Sequence, residues 1–165
     1  MKKGININKI KEYDFVVYGA TGFTGKLVVE YLVHKYSNNS QIKWALAGRN
    51  LEKLESVAAS KNVPEGTGLL EVDSNNIASI EEMISKTKCV LTTVGPYQLY
   101  GNDIVSACAK SGIDYVDLCG EPGWMHEKIN ELTETARETG SRIVFSCGFD
   151  SIPFDLGVLF LQNEV

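Results

Sequence analysis

Three glycines spaced three apart, Gly19, Gly22 and Gly25, follow the apolar run Phe15-Val-Val-Tyr18 and open a segment of helical period. That order of residue types suits a dinucleotide pyrophosphate. The phosphates need backbone N–H donors at close range and the positive end of a helix dipole, and a side chain at the wrong glycine would block the approach. Gly19 is expected to allow a tight exit from the strand, Gly22 a close pass of the backbone beneath the pyrophosphate, and Gly25 the packing of the helix on the sheet. Phe23 and Thr24 stand at the helix start, where N–H groups lack intrahelical partners, and Thr21 can add a hydroxyl.

The second strand-like run ends in Leu46-Ala-Gly-Arg-Asn50. A carboxylate there would accept hydrogen bonds from the adenosine ribose of NAD, whereas a cation suits the 2′-phosphate of NADP. Arg49 supplies a planar, permanently charged donor, so NADP(H) is the expected cofactor; the alternative is an Arg49 that caps a surface turn. Asp73, past the third strand, is placed either to meet the adenine amino group or to cap the next helix. After the fourth strand, Thr93-Val-Gly-Pro-Tyr97 makes a rigid turn at the carboxyl edge of the sheet, where ligands of this architecture lie. Val94, Gly95 and Pro96 are expected beside the nicotinamide-side ribose and Tyr97 near the reacting end; an ordinary Gly-Pro turn is the alternative.

No catalytic residue is identified. Tyr31 and Lys35 have the Tyr-x-x-x-Lys spacing of short-chain dehydrogenases, but they fall in the first helix, away from the nicotinamide, and the match is read as coincidence. His34 and His126 have no neighbours that suggest a triad or a metal site. Glu121 and Asp150 follow the fifth and sixth strands, where either could orient substrate or relay a proton. Their structural alternatives are a cap on the helix after Pro122 for Glu121 and backbone bonds within its own turn for Asp150. Cys89, Cys108, Cys119 and Cys147 show no C-x-x-C spacing, so reduced packing residues are expected rather than a zinc site or a disulfide framework.

The elements that must position these residues alternate. Strand-like runs at Phe15 to Tyr18, Ile42 to Ala47, Gly68 to Val72, Cys89 to Val94, Tyr115 to Leu118 and Arg142 to Ser146 are separated by helical segments. Helices are expected over Lys26 to Tyr36, with Leu27, Val28, Tyr31 and Leu32 inward, and after Asn50, a plausible N-cap, with Leu51, Leu54, Val57 and Ala58 inward. Others are Ser79 to Lys86, Asn102 to Ser111 and Gly123 to Gly140, the last with Met125, Ile129, Leu132 and Ala136 as its apolar stripe. Runs such as Phe15-Val-Val17 and Ile143-Val-Phe145 are apolar on successive residues, as strands covered on both faces require. The fold class is α/β: a doubly wound parallel sheet, the three-layer α/β/α Rossmann NAD(P)-binding fold. Ser37 to Ser40 and Asn62 to Thr67 read as loops.

Composition limits the partners. The chain has 165 residues, enough for one core that buries roughly 70% of the unfolded surface, and a formal charge of -5 offers no footprint for nucleic acid. No run approaches the ~20 apolar residues of a membrane span, and Met1-Lys-Lys3 is followed by polar residues rather than a signal-peptide core. A cytoplasmic location is expected, with peripheral lipid association left open.

The turn Gly19-Ala-Thr-Gly-Phe-Thr-Gly25, Ala47-Gly-Arg49, Val94-Gly-Pro-Tyr97, Tyr115-Val-Asp-Leu-Cys-Gly-Glu121 and Gly148-Phe-Asp-Ser-Ile-Pro-Phe-Asp-Leu-Gly157 together resemble the amino-terminal half of the saccharopine dehydrogenase-like oxidoreductases, which include trans-acting enoyl reductases. The resemblance runs from about residue 13 to the end. It implies an NADP-binding Rossmann domain followed by a substrate domain whose final helices return to the first. Residues 1–12 are then expected as a flexible leader, 13–148 as the dinucleotide-binding domain and 149–165 as the start of a connection to a substrate domain outside this chain. The apolar segment Ile152 to Leu161 is expected to need cover, from that domain or from a second copy in a homodimer. The implied activity is hydride transfer between NADPH and an enoyl, carbonyl or imine bond of a small-molecule or lipid-like substrate, with this chain inactive alone. A non-enzymatic NADP-binding sensor or scaffold is the alternative.

Overall fold

Side chains on alternate positions of a strand face opposite ways, and the core divides accordingly. Val17 and Leu46 pack with Val29, Leu32, Leu54 and Val57 on one side of the sheet. Val16, Tyr18, Val90 and Tyr115 pack with Ile80, Met83, Ile104 and Trp124 on the other. The computed structural model describes residues 11–37 and 41–164. Its strands are β1 (Phe15–Tyr18), β2 (Trp44–Gly48), β3 (Gly68–Glu71), β4 (Cys89–Thr92), β5 (Asp114–Asp117) and β6 (Ile143–Val144). They form one sheet in the order β3-β2-β1-β4-β5-β6, every pairing parallel. The chain runs one way from β1 to β3 and the other from β4 to β6, so the direction reverses between β1 and β4. Ligands of doubly wound sheets bind at that switch point.

The helices are α1 (Phe23–Tyr36), α2 (Leu51–Ser60), α3 (Ile77–Lys86), α4 (Tyr97–Tyr100), α5 (Asn102–Ser111), α6 (Pro122–Thr139) and α7 (Ile152–Glu164). Asn50 caps α2 as expected, its side chain accepting from the Lys53 N–H at 2.8 Å. Asn76 caps α3 through Ala78 N–H at 3.1 Å, which starts the helix two residues before the expected Ser79. Asn76→Ala should therefore lower unfolding free energy by about 1 kcal/mol in denaturant melts, because a lost side-chain cap leaves those amides without their acceptor.

Several expectations are corrected. On α1 the buried residues are Gly25, Val29 and Leu32, while Leu27 and Tyr31 are exposed. The helix carries two apolar faces, and close contact at Gly25 decides which one docks. On α6, Trp124, Lys128 and Leu132 are buried and Ile129 is exposed. The sixth strand ends at Val144, because Ser146 turns to φ 59° and its N–H, with that of Cys147, is taken by the Asp117 side chain and carbonyl at 2.8 and 2.7 Å. The fourth stops at Thr92, whose hydroxyl accepts from Val94 N–H at 3.1 Å. Helices α4 and α7 stand where a turn and a connection were expected, and α7 buries none of its residues.

Of the expected leader, residues 1–10 lie outside the described residues. Lys11 is held, its Nζ donating to the Ile84 and Ser85 carbonyls at 3.0 and 3.1 Å near the end of α3. Residues 38–40 of the expected Ser37 to Ser40 turn also lie outside them. Among the described residues, no helix is long and apolar enough to cross a membrane.

Candidate cofactor site

The turn between β1 and α1 is built by steric exclusion. Gly19 has φ +91°, and a Cβ there would stand 2.7 Å from Thr93 Oγ1. A Cβ on Gly25 would meet the Gly19 carbonyl oxygen at 2.1 Å. Gly22 N–H bonds the Gly19 carbonyl at 3.0 Å, closing the turn. Among the described residues, a Cβ on Gly22 would touch only that carbonyl, at 3.3 Å. Gly22 stands at the cap position of α1 without a side-chain hydrogen bond, whereas Asn50 and Asn76 cap α2 and α3. The first turn of α1 thus takes no side-chain cap from residue 22, and its amides stand at the positive end of the helix dipole.

This turn forms one wall of a cleft of about 230 Å³ lined by Tyr18, Gly19, Thr21, Gly22, Gly48, Arg49, Ser74, Thr93, Val94, Gly95 and Tyr100. The cleft brings together residues from the ends of β1, β2, β3 and β4. Arg49 is exposed at the end of β2 and enters no ion pair among the described residues. Tyr18 is buried, and burial raises its phenol pKa.

Of the residues expected at the site, Gly19, Thr21, Gly22, Arg49, Val94 and Gly95 line this cleft, and Phe23, Thr24, Gly25, Asp73, Pro96 and Tyr97 do not. Gly25 lies behind the turn as its packing residue, and Phe23 projects to solvent at 83% exposure. Asp73 caps no helix; its Oδ1 accepts from Asn75 N–H at 3.0 Å, while its neighbour Ser74 lines the cleft. Tyr97 is an anchor rather than a lining residue. It is buried, and its hydroxyl donates to the Thr92 carbonyl at 3.2 Å. The Gly95–Pro96 peptide is cis.

Sequence reasoning missed Tyr18, Gly48, Ser74, Thr93 and Tyr100. Gly48 and Thr93 lie within stretches already placed at the sheet's carboxyl edge without being assigned to the site, Ser74 follows Asp73, and Tyr100 could be found only by reading a helix from Tyr97, which carries it one turn on to the cleft.

A second cavity of about 420 Å³ shares Thr93 with the first and lies beyond the start of α1. Thr24, Val28, Leu91, Val116, Leu118, Cys147, Phe149 and Asp150 line it, with Asp117. Asp117 is buried, which raises its carboxyl pKa, and it accepts from Tyr115 Oη at 2.9 Å, Cys119 N–H at 3.0 Å and Ser146 N–H. Burial also raises the Cys119 thiol to about 11. Cys147, expected as packing, is exposed at this cavity. Tyr31, His34 and Lys35 are exposed along α1. Among the described residues, no group of His, Cys, Asp and Glu gathers as a metal site.

Residues 15–144 match the family described as the saccharopine dehydrogenase NADP binding domain. The mouse saccharopine dehydrogenase-like oxidoreductase is 40% identical over 165 residues, covering 94% of this chain and 38% of its own length. A trans-acting enoyl reductase of Mycobacterium bovis is 45% identical over 156 residues, covering 93% of this chain and 36% of its own. Apo histidine-tagged saccharopine dehydrogenase (L-Glu forming) from Saccharomyces cerevisiae has the same fold, with a TM-score of 0.73 at 16% identity, covering 93% of this chain and 31% of that one. The chain thus spans little more than a third of the curated relatives it matches. A sheet whose switch point carries this glycine turn, matched over most of its length to one family, settles the affiliation: the chain belongs to the saccharopine dehydrogenase NADP binding domain family, and its cofactor is NADP(H).

Proposed function

We propose that the chain is the cofactor-holding part of an oxidoreductase that moves hydride between NADPH and an enoyl, carbonyl or imine bond of a lipid-like acceptor. One observation carries the reading: the start of α1 lies between two cavities that share Thr93, Gly22 lining one and Thr24 the other. In this reading the first cavity takes the adenosine half, with Arg49 on its 2′-phosphate, and the amides beside Gly22 take the diphosphate. The second takes the nicotinamide, with Val28, Leu91, Val116, Leu118 and Phe149 as apolar walls that suit a hydrocarbon acceptor. When bound, the nicotinamide supplies or accepts hydride at C4, so the work of the protein is to place that carbon against the acceptor. The mycobacterial relative's name, an enoyl reductase, supports the acceptor class.

The test has two stages. Calorimetric titration of the chain should show NADPH binding more tightly than NADH. Deuterium at C4 of NADPH should then appear, with one stereochemistry, in a product from a panel of enoyl, ketone and imine compounds, using protein at the relatives' full length. Tight NADPH binding with no label transfer across the panel would discard the enzyme and favour a redox sensor or scaffold.

A further inference from the structure

We propose that Glu121 is a positioning residue for the cofactor cleft: its carboxylate pins α4 from the end of β5 and so fixes Val94, Gly95 and Tyr100. One oxygen accepts from Tyr97 N–H at 2.7 Å and the other from Gln98 N–H at 2.9 Å, across separations of 24 and 23 residues. These are the first two amides of α4, which takes no side-chain cap from its own Pro96. Glu121 does not cap α6 with its side chain, although its carbonyl accepts from Met125 N–H in the first turn of that helix. The residue therefore joins the end of β5, the start of α6 and the start of α4.

A helix of four residues does not hold itself in water, since nucleation costs more than one turn returns. Two charge-assisted bonds at its first amides are strong local restraints. Tyr97 provides the remaining anchor, its ring centroid 5.6 Å from that of Trp124 and its hydroxyl accepting from Leu118 N–H at 3.4 Å. Val94 and Gly95 lead into the pinned turn and Tyr100 ends it, and all three line the cleft with Arg49 and Gly22. Glu121 is not among the lining residues, so its effect passes through the α4 amides.

This inference rests on reading that cleft as the adenosine half of the cofactor site. NADPH and NADH share the adenosine moiety, apart from the 2′-phosphate, so loosening this wall should weaken both alike. Dissociation constants for each are measured on wild type, Glu121→Gln, Arg49→Ala and Ser141→Ala, well below the melting transition. Glu121→Gln keeps the size of the side chain but replaces one acceptor oxygen with an NH₂ facing an N–H. It is expected to lose about tenfold for both cofactors, leaving their ratio unchanged. Arg49→Ala should change the ratio, and Ser141→Ala, which removes a buried hydroxyl from the Ile113 carbonyl at the opposite, amino edge of the sheet, should change neither affinity. Should Glu121→Gln not fold, Glu121→Asp, which keeps the charge and loses the reach to one amide, is read the same way. Wild-type affinity in a folded Glu121 variant overturns the inference, as does an equal loss in Ser141→Ala, which would mark a general effect of stability. A wild type that binds neither cofactor instead overturns the cofactor reading, and this inference with it.

Discussion

Replacing Arg49 with alanine is expected to weaken NADPH binding by about 1.5–3 kcal/mol, roughly 10- to 150-fold, while leaving NADH nearly unaffected. The side chain is exposed beside the cleft and free of ion pairs among the described residues, so removing it breaks no ion pair found there. Its planar fork can give two parallel bonds to one phosphate, which an ammonium cannot reproduce; Arg49→Lys should fall between wild type and alanine. Because the pair would be exposed, added salt should narrow the difference. Titrations of both cofactors at two ionic strengths check all three points. Unaltered NADPH affinity would remove Arg49 from the site. An equal loss for NADH would instead make it a support of the β2–α2 turn.

The parts of this site that could be read in the sequence are those governed by near neighbours in the chain. Gly25 must be glycine because of the carbonyl of Gly19, six positions earlier, and Arg49 sits at a fixed offset from the end of β2. Such constraints leave a spacing in the residue string. Glu121 leaves none, since its partners Tyr97 and Gln98 belong to another element and meet it only when β4 and β5 pair. Tyr97 shows the same limit. An aromatic after Gly-Pro can face ligand or core with equal local logic, and Trp124, from α6, draws it inward. On α1 both apolar stripes satisfy a helical period, and the choice between them comes from contact at one glycine rather than from hydrophobicity. The doubly wound parallel class was legible because alternation of strand and helix admits few topologies, whereas the ends of β4 and β6 depend on side chains that claim backbone amides, Thr92 locally and Asp117 from the neighbouring strand.

Gly25→Ala is expected to lower stability by about 1–3 kcal/mol and to abolish measurable NADPH binding, whereas Gly22→Ala should keep the fold and lose the cofactor. The added carbon at residue 25 would lie 2.1 Å from Gly19 O, 2.8 Å from Gly19 C and 2.9 Å from Ala20 Cα. All three are backbone atoms, so no rotamer change relieves the overlap. Either α1 lifts from the sheet or the turn opens, and both displace the amides of the first helical turn. At residue 22 the only close atom among the described residues is Gly19 O at 3.3 Å, and φ is −72°, a conformation alanine adopts freely. The new methyl group there meets little protein, but it stands over the backbone where a diphosphate must approach. Gly123→Ala is the control: it lies in α6 with nothing within 4 Å of its added carbon, and alanine should stabilise that turn by up to about 1 kcal/mol without touching the cofactor. Denaturant melts paired with NADPH titrations separate the three variants. A Gly22→Ala protein that still bound NADPH like wild type would show that the diphosphate does not rest on this turn.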